Sequence, residues 1–347
     1  MALARPEIVA LKPYEHAAWD PALERLHANE FPWRSPADRS EAGLNRYPEP
    51  QPRPLIERLA KLYAVPGECV LAARGSDEAI DLLTRAFCRA GRDAVLVCPP
   101  TFGMYSVSAR IQGAAVLEAP LRAGDGFTLD EGAVLERCGP EVKLVFLCSP
   151  NNPTGNLLDE QALGRLGRAL MGRALLVVDE AYVEFADRPS LARSVGEQPN
   201  LAVLRTLSKA YGLAGARCGA LIAAPEVVAL LRKIIPPYAI AQPTLEAVLE
   251  RLGPRALAAA RAELALLLRE RERMTAALGA LPRVRRVWPS AANFLLVELE
   301  DAGEALERGR RTGLLVRDAR GYPGLGEAVR VTVGTPEQNG RLLEAWQ

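Results

Sequence analysis

The chain has 347 residues, of which 49% are hydrophobic and 24% are charged. This composition is typical of a globular protein large enough for one large domain and a smaller one. Its 43 basic and 42 acidic residues nearly balance, which argues against an overall field that favours nucleic acid or an anionic membrane surface. We therefore predict small-molecule ligands, with any charge selectivity confined to a local site.

Cysteine and histidine usage argues against a metal centre. The six cysteines are scattered, with no C-x-x-C pair and no nearby histidine to complete a zinc site, so we expect reduced and mostly buried thiols. The two histidines, His16 and His27, are interpreted as structural or surface residues. Residues 1–16 show no signal-peptide pattern, and no apolar run reaches membrane-spanning length. The sequence thus predicts a cytoplasmic protein without membrane contact.

Short apolar runs alternate with segments of helical spacing over the first two thirds of the chain. These runs lie at 94–98, 143–148, 174–178, 201–204 and 219–223. Near-continuous hydrophobicity of this kind is typical of strands buried on both faces. With helical spacing at 78–89 and 159–171 between them, the pattern predicts an α/β fold whose mostly parallel sheet lies between helices.

The pattern changes after residue 237. Residues 255–281 are rich in Ala, Leu, Arg and Glu and predict a long amphipathic helix that connects domains, with a coiled-coil or regulatory helix as the alternative. Three strand-like runs that follow, at 294–299, 314–317 and 329–333, predict a small α+β domain. The expected division is an N-terminal arm at 1–30, a large domain at 31–245 and a small domain at 246–347.

Polar side chains follow three of the apolar runs, at the strand ends where ligands bind in open α/β sheets. They include Asn152, Asp179, Tyr182 and Lys209, which together supply an amide, a carboxylate, a phenol and an amine. Singly, each has an ordinary structural explanation: a turn, a helix N-cap or a solvated surface pair. The order and spacing of the three segments carry more information than any one of them.

The segments S-P-N-N-P-T-G (149–155), D-E-A-Y (179–182) and T-L-S-K (206–209) resemble the fold-type I pyridoxal-phosphate-dependent aminotransferases. Flanking segments look most similar to the histidinol-phosphate aminotransferases within that family: A-N-E-F-P (28–32), L-N-R-Y-P (44–48), R-G-S-D-E (74–78), C-P-P-T-F-G-M-Y (98–105), L-A-G-A-R-C-G (213–219) and V-R-V-T-V-G (329–334). Phe102 and Phe31 stand where relatives often have tyrosine. The resemblance covers nearly the whole chain.

The resemblance implies pyridoxal 5'-phosphate as cofactor, with Lys209 as the amine that binds it covalently and then moves the substrate Cα proton. Asp179 would keep the cofactor's ring nitrogen protonated. Asn152 and Tyr182 would donate to its phenolic oxygen, and Tyr105 would stack on its ring. Phosphate contacts are expected from these residues: Ser76, Asp77, Ser208 and Arg217.

The resemblance also implies a homodimer, because Tyr47 matches a residue that reaches the cofactor phosphate of the neighbouring subunit. Active sites would then be shared between subunits. The N-terminal arm would pack on the small domain and on the dimer partner. Tyr14 and Asn29 in this arm match substrate-pocket positions, although the arm could equally serve as a dimer-packing strap.

On the substrate side, Arg330 matches the family's principal anion-binding arginine and Arg317 a second one, with Asn152 beside them. The implied reaction transfers an amino group between L-histidinol phosphate and 2-oxoglutarate, giving imidazole-acetol phosphate and glutamate, in either direction. Two alternatives use the same scaffold: an aromatic amino-acid aminotransferase and a threonine-phosphate decarboxylase. A non-catalytic regulatory protein would need a lost lysine or an added DNA-binding module, and the sequence shows neither.

Overall fold

A computed structural model of the protein describes residues 3–15, 20 and 22–347, so that His16 lies outside the described residues. Over this part of the chain the helices are α1 (Pro6–Ala10), α2 (Arg53–Tyr63), α3 (Ser76–Phe87), α4 (Met104–Gln112), α5 (Glu131–Arg137), α6 (Glu160–Ala169), α7 (Pro225–Arg232), α8 (Gln242–Arg251), α9 (Pro254–Gly279), α10 (Ala302–Arg311) and α11 (Pro336–Trp346). The strands are β1 (Val70–Ala73), β2 (Ala94–Val97), β3 (Ala115–Glu118), β4 (Val142–Cys148), β5 (Leu175–Asp179), β6 (Leu201–Thr206), β7 (Gly219–Ala223), β8 (Val284–Val287), β9 (Phe294–Leu299), β10 (Arg317–Asp318) and β11 (Ala328–Thr332).

The larger sheet has the strand order β1-β7-β6-β5-β4-β2-β3 among the described residues. Strand β7 runs antiparallel to both of its neighbours, whereas the pairs β6-β5, β5-β4, β4-β2 and β2-β3 are parallel. The predicted mostly parallel sheet is therefore confirmed. Strands β1 and β3 were not singled out in the sequence.

Alternation along β4 explains why its sequence is almost continuously apolar. Successive strand residues point to opposite faces: Val145 and Leu147 join one hydrophobic cluster, and Leu144 and Phe146 join another on the other face. All four side chains are buried. Because helices cover both faces, neither face of the strand has room for polar side chains.

A second sheet, antiparallel and of order β10-β11-β9-β8 in the described part, forms a separate smaller core. Helix α9 spans 26 residues and contributes to both cores, since Leu257 packs against the large-sheet cluster whereas Met274 and Leu278 lie in the small-sheet cluster. Its length and these contacts agree with the predicted connecting helix.

The carboxyl ends of β4, β5 and β6 meet at one edge of the large sheet. Cys148 pairs with Asp179 in the register of β4 and β5, and Asp179 pairs with Leu204 of β6. The small sheet lies over this edge, where a guanidinium N–H of Arg330 on β11 donates to the Asn152 side-chain oxygen. In the described part of the chain, no helix is both long enough and apolar enough to cross a membrane.

Candidate active site

A cavity of about 310 Å³ lies between the edge of the large sheet and the small sheet. Its volume falls at the lower end of the range for small-molecule sites. The described residues that line it are Ser76, Asp77, Phe102, Cys148, Asn152, Asp179, Ala181, Tyr182, Thr206, Ser208, Lys209, Ala214, Arg217, Arg317, Tyr322 and Arg330. Most of the polar side chains in this list were candidates from sequence alone.

Asp179 ends β5 and is 2% exposed. Its Oδ1 accepts the Ala181 backbone N–H at 3.0 Å and its Oδ2 accepts the Tyr105 hydroxyl at 2.8 Å. Burial raises the pKa of Asp179 to about 6, and the hydrogen bond from Tyr105 opposes that rise. The buried carboxylate is therefore a strong acceptor for a cationic N–H group in the cavity.

Lys209 lies in the turn after β6 and its side chain is exposed to the cavity. Its Nζ lies 5.7 Å from the centre of the Tyr182 ring. Burial and then the positive charge of Arg330 lower the pKa of the Lys209 amine. Lowering this pKa increases the fraction of neutral amine, which is the form able to act as nucleophile or base.

A cradle for an anion forms where α3 begins. Gly75 precedes the helix at a φ of +81°, a backbone conformation that favours glycine, and lies close to an Arg217 nitrogen. Arg217 donates to the Ser208 hydroxyl at 3.4 Å and pairs with Asp77 at 3.3 Å. Backbone N–H groups of the first turn, a hydroxyl and a guanidinium thus converge at one end of the cavity.

Two arginines form the opposite, small-sheet side of the cavity. Arg317 on β10 and Arg330 on β11 are directly paired across the two antiparallel strands. Like charges at such a position repel one another, and an anion bound between them would remove that cost. The Arg330 guanidinium also lies 5.2 Å from the centre of the Phe294 ring, which holds it over the cavity.

Four residues proposed from sequence do not line this cavity among the described residues: Tyr47, Tyr14, Asn29 and Tyr105. Tyr47 is 49% exposed and stacks on Tyr238 with ring centres 4.5 Å apart. Tyr14 is 68% exposed, and Asn29 lies in the same exposed N-terminal segment. His27 is at the surface, in keeping with its interpretation.

Tyr105 lies behind Asp179 and is fully buried, with its ring stacked on Phe146 at 4.9 Å. This placement differs from the expectation that Tyr105 stacks on a ligand in the cavity. The aromatic side chain on the cavity wall is Phe102, whose ring meets that of Tyr105 edge to face at 5.6 Å. Phe102 lies one residue before Gly103, the cap of α4, whereas Tyr105 lies inside the helix, and of the two only Phe102 lines the cavity.

Sequence reasoning assigned no role to Tyr322, which reaches the cavity from the loop between β10 and β11. Two glycines with positive φ, Gly324 and Gly326, follow it in that loop. Thr206 was also unassigned, and its hydroxyl donates to that of Ser208 at 3.0 Å. The glycine-rich segment G-Y-P-G-L-G (321–326), which directly precedes the strand that carries Arg330, is the signal that could have identified Tyr322.

The sequence model of the family described as "Aminotransferase class I and II" matches residues 28–345 of the chain. The chain is 49% identical over 350 residues to the histidinol-phosphate aminotransferase of Stenotrophomonas maltophilia, which covers 99% of this chain and 96% of the relative. A second histidinol-phosphate aminotransferase, from Xanthomonas campestris, is 46% identical over 100% of this chain and 97% of its own length.

Among solved structures, the histidinol-phosphate aminotransferase of Sinorhizobium meliloti in complex with pyridoxal-5'-phosphate has a TM-score of 0.77. It is 25% identical, and the match covers 87% of this chain and 82% of that one.

Proposed function

Because the chain belongs to the class I and II aminotransferases, we propose that it binds pyridoxal phosphate and transfers an amino group between histidinol phosphate and 2-oxoglutarate. The predicted fold-type I architecture, a large α/β domain with a smaller α+β domain, is confirmed by the sheets and by the solved relatives. The observation that carries the proposal is one cavity holding an amine, a buried carboxylate and two arginines: Lys209, Asp179, Arg317 and Arg330.

The cavity residues fit pyridoxal phosphate by the chemistry of their donors and acceptors. The cradle at α3, with Ser208 and Arg217, suits a phosphate dianion. Asp179 is buried and accepts two hydrogen bonds within the protein, so a cationic ring N–H beside it would offset the burial that raises its pKa. Asn152 and Tyr182 supply polar groups on the cavity wall for a phenolic oxygen.

When it is bound, pyridoxal phosphate supplies the aldehyde that carries the amino group and a ring that withdraws electrons from the substrate Cα. Lys209 holds or moves a proton at its Nζ, and its lowered pKa keeps part of the amine neutral for that task. The Asp179 carboxylate maintains a proton on the ring nitrogen. Tyr182, whose pKa is raised by burial, stays protonated and acts as a hydrogen-bond donor.

Both half-reactions use an anionic substrate, and the paired arginines provide one site for either anion. A phosphate ester or a carboxylate accepts two parallel hydrogen bonds from a guanidinium. We assign Arg330 as the principal anion contact and Arg317 as the second, with Asn152 hydrogen-bonded to Arg330 at the cavity wall. Substrate then lies between these arginines and Lys209.

The proposal includes a homodimer with shared active sites and the division into an arm (1–30), a large domain (31–245) and a small domain (246–347). Exposed apolar side chains concentrated in the N-terminal segment support a partner surface: Leu23, Leu26, Phe31, Trp33, Leu44 and Tyr47. We propose that Tyr47 acts in the partner's site and that Tyr14 and Asn29 act in the substrate pocket.

The test is an absorption spectrum of the protein reconstituted with pyridoxal phosphate, for wild type and for Lys209→Ala. Wild type should show a visible band that histidinol phosphate bleaches rapidly and phenylalanine slowly, and the variant should lose that band and at least about 10³-fold of its turnover. Ping-pong turnover by the variant would disprove the role of Lys209. Preferential bleaching by phenylalanine would favour an aromatic aminotransferase, and carbon dioxide release a decarboxylase.

A further inference from the structure

A buried group of charged and aromatic side chains lies next to the active-site segment but outside the cavity lining. Glu184 belongs to the short 3-10 helix Val183–Phe185, directly after Tyr182. A guanidinium N–H of Arg205 on β6 donates to Glu184 Oε1, and a second Arg205 nitrogen lies 3.7 Å from Glu180 Oε2. The side chains of Arg205 and Glu184 are only 6% and 12% exposed.

Aromatic rings surround this ion pair. The Arg205 guanidinium lies 4.6 Å from the centre of the Tyr63 ring. Tyr211 lies beside Glu184, and burial, followed by the Glu184 charge, raises the pKa of the Tyr211 hydroxyl. Arg205 precedes Lys209 by four residues and Tyr211 follows it by two. Glu184 therefore has partners on both sides of Lys209 along the chain.

The same region anchors the beginning of the active-site segment. Glu180, which is fully buried next to Asp179, accepts the Ser190 hydroxyl and the Leu191 backbone N–H, the latter at 2.8 Å. With Glu180 near Arg205 and Glu184 paired to it, both ends of residues 180–184 are tied to one side chain on β6. Tyr182 lies between the two tied positions.

This arrangement is costly for stability alone. Burying ions requires desolvation that a well-packed apolar cluster avoids. Three buried atoms of the group also lack a hydrogen-bond partner among the described residues: Arg205 Nε, Glu184 Oε2 and the Tyr63 hydroxyl. An ion pair fixes the distance and orientation of the groups that it joins, whereas an apolar cluster does not. The segment that carries Tyr182 requires such fixing.

We propose that Glu184 is a positioning residue that fastens the Tyr182 segment to both flanks of Lys209 through Arg205 and Tyr211. It acts through these neighbours and does not line the cavity. The inference rests on the proposed function, since it assigns Glu184 the task of holding the Tyr182 hydroxyl and the Lys209 amine in register. Without it, both groups would remain present but would be displaced by more than catalysis tolerates.

The experiment compares Glu184→Ala, Glu184→Gln and Glu184→Asp with wild type, all reconstituted with pyridoxal phosphate. For Glu184→Ala we expect kcat to fall about 10- to 100-fold while KM for 2-oxoglutarate stays within about twofold. The visible band should titrate with a higher pH midpoint, because a displaced Tyr182 donates less to the phenolic oxygen. Affinity of the apoprotein for pyridoxal phosphate should fall as well, and Glu184→Asp should restore part of each property.

The matched control is Asp93→Asn, which breaks another buried carboxylate-arginine pair in the same domain, with Arg89, away from the cavity. It should lose stability but keep the wild-type band midpoint and kcat. If the Glu184 variants lose stability like this control and keep the wild-type midpoint and kcat, the positioning role is wrong. Glu184→Gln preserves the shape of the side chain and provides the test of the positioning role if Glu184→Ala does not fold. Absence of the visible band in wild type would instead overturn the proposed function itself.

Discussion

The Tyr105 hydroxyl donates a hydrogen bond of 2.8 Å to the Asp179 carboxylate, and both side chains are buried. This bond counters the burial that raises the pKa of Asp179. Oδ2 of Asp179 accepts this bond and Oδ1 accepts the Ala181 backbone N–H, so the carboxylate is held from two sides. Tyr105 thus orients and tunes the carboxylate that faces the cavity.

Tyr105→Phe should remove this bond without disturbing the stacked ring. A hydrogen bond to a charged group contributes about 1.5–3 kcal/mol, so ionised Asp179 should become less favourable and its pKa should rise further. We expect kcat/KM to fall roughly tenfold or more and the acidic limb of its pH profile to move to higher pH. An unchanged acidic limb would contradict the tuning role of Tyr105.

The raised pKa of Asp179 predicts a pH dependence of apoprotein stability. An unfolded aspartate loses its proton near pH 4, whereas folded Asp179 loses it near 6. The folded state therefore binds more protons between these values, and stability falls as pH rises through that window. The loss should be on the order of 3 kcal/mol, measured as a decline in Tm.

Asp179→Asn should abolish most of this decline. The difference in Tm between the variant and wild-type apoprotein, in favour of the variant, should therefore be larger at pH 7 than at pH 4.5. Asp93→Asn serves as the control, because the neighbouring Arg89 holds the pKa of Asp93 below its ordinary value and outside the window. Its Tm curve should run parallel to wild type but lower. Parallel curves for Asp179→Asn and wild type would show that this carboxyl does not titrate as described.

Phe102, rather than Tyr105, is the aromatic residue on the cavity wall. If Phe102 stacks on the cofactor ring, Phe102→Leu should weaken apoprotein affinity for pyridoxal phosphate by about 2- to 10-fold, the value of one aromatic contact. Equilibrium titration of cofactor fluorescence would measure the affinities of wild type and variant. Equal affinities for wild type and Phe102→Leu would show that Phe102 does not contact the cofactor ring.

The fold was largely predictable from sequence because β4, β5, β6 and β7 are buried on both faces, which leaves a continuous apolar run for each. β3 was not predicted: it is a partly exposed edge strand, and its short apolar run at 114–117 ends at the exposed Glu118. The two-residue strand β10 was predicted too early and too long, at 314–317, since its pairing with β11 depends on contacts distant in sequence.

The candidate site was predictable wherever a motif ends a strand, as at Asn152, Asp179 and Lys209. The positions of Phe102 and Tyr105 were not, because a shift of three residues along a helix start decides which ring faces the cavity. Tyr322 was missed because it enters from a loop of the small sheet: the glycine-rich run 321–326 indicates a loop but does not show that the loop lies over the large sheet.

Arg330→Lys should test the anion site. Lysine keeps the charge but cannot form two parallel bonds to a carboxylate or phosphate, so kcat/KM for 2-oxoglutarate and for histidinol phosphate should both fall by about 10- to 100-fold. Arg320→Lys is the control: this exposed arginine pairs with Asp318 at the end of β10 and does not line the cavity. Its kinetics should match wild type. A loss for one substrate alone would mean that the two anions bind at different sites.

Complementation between two inactive variants tests the shared site. Tyr47 is exposed and lies outside its own chain's cavity lining, whereas Lys209 lies within it. If Tyr47 serves the partner's site, a heterodimer of Tyr47→Ala and Lys209→Ala subunits contains one site with both residues intact. An equal mixture, unfolded and refolded together, should recover about a quarter of wild-type activity, because half of the dimers are mixed and each has one working site. Each variant refolded alone is the control and should stay inactive. If mixing restores nothing while two different affinity tags, one on each variant, show that mixed dimers form, Tyr47 acts within its own subunit or not at all.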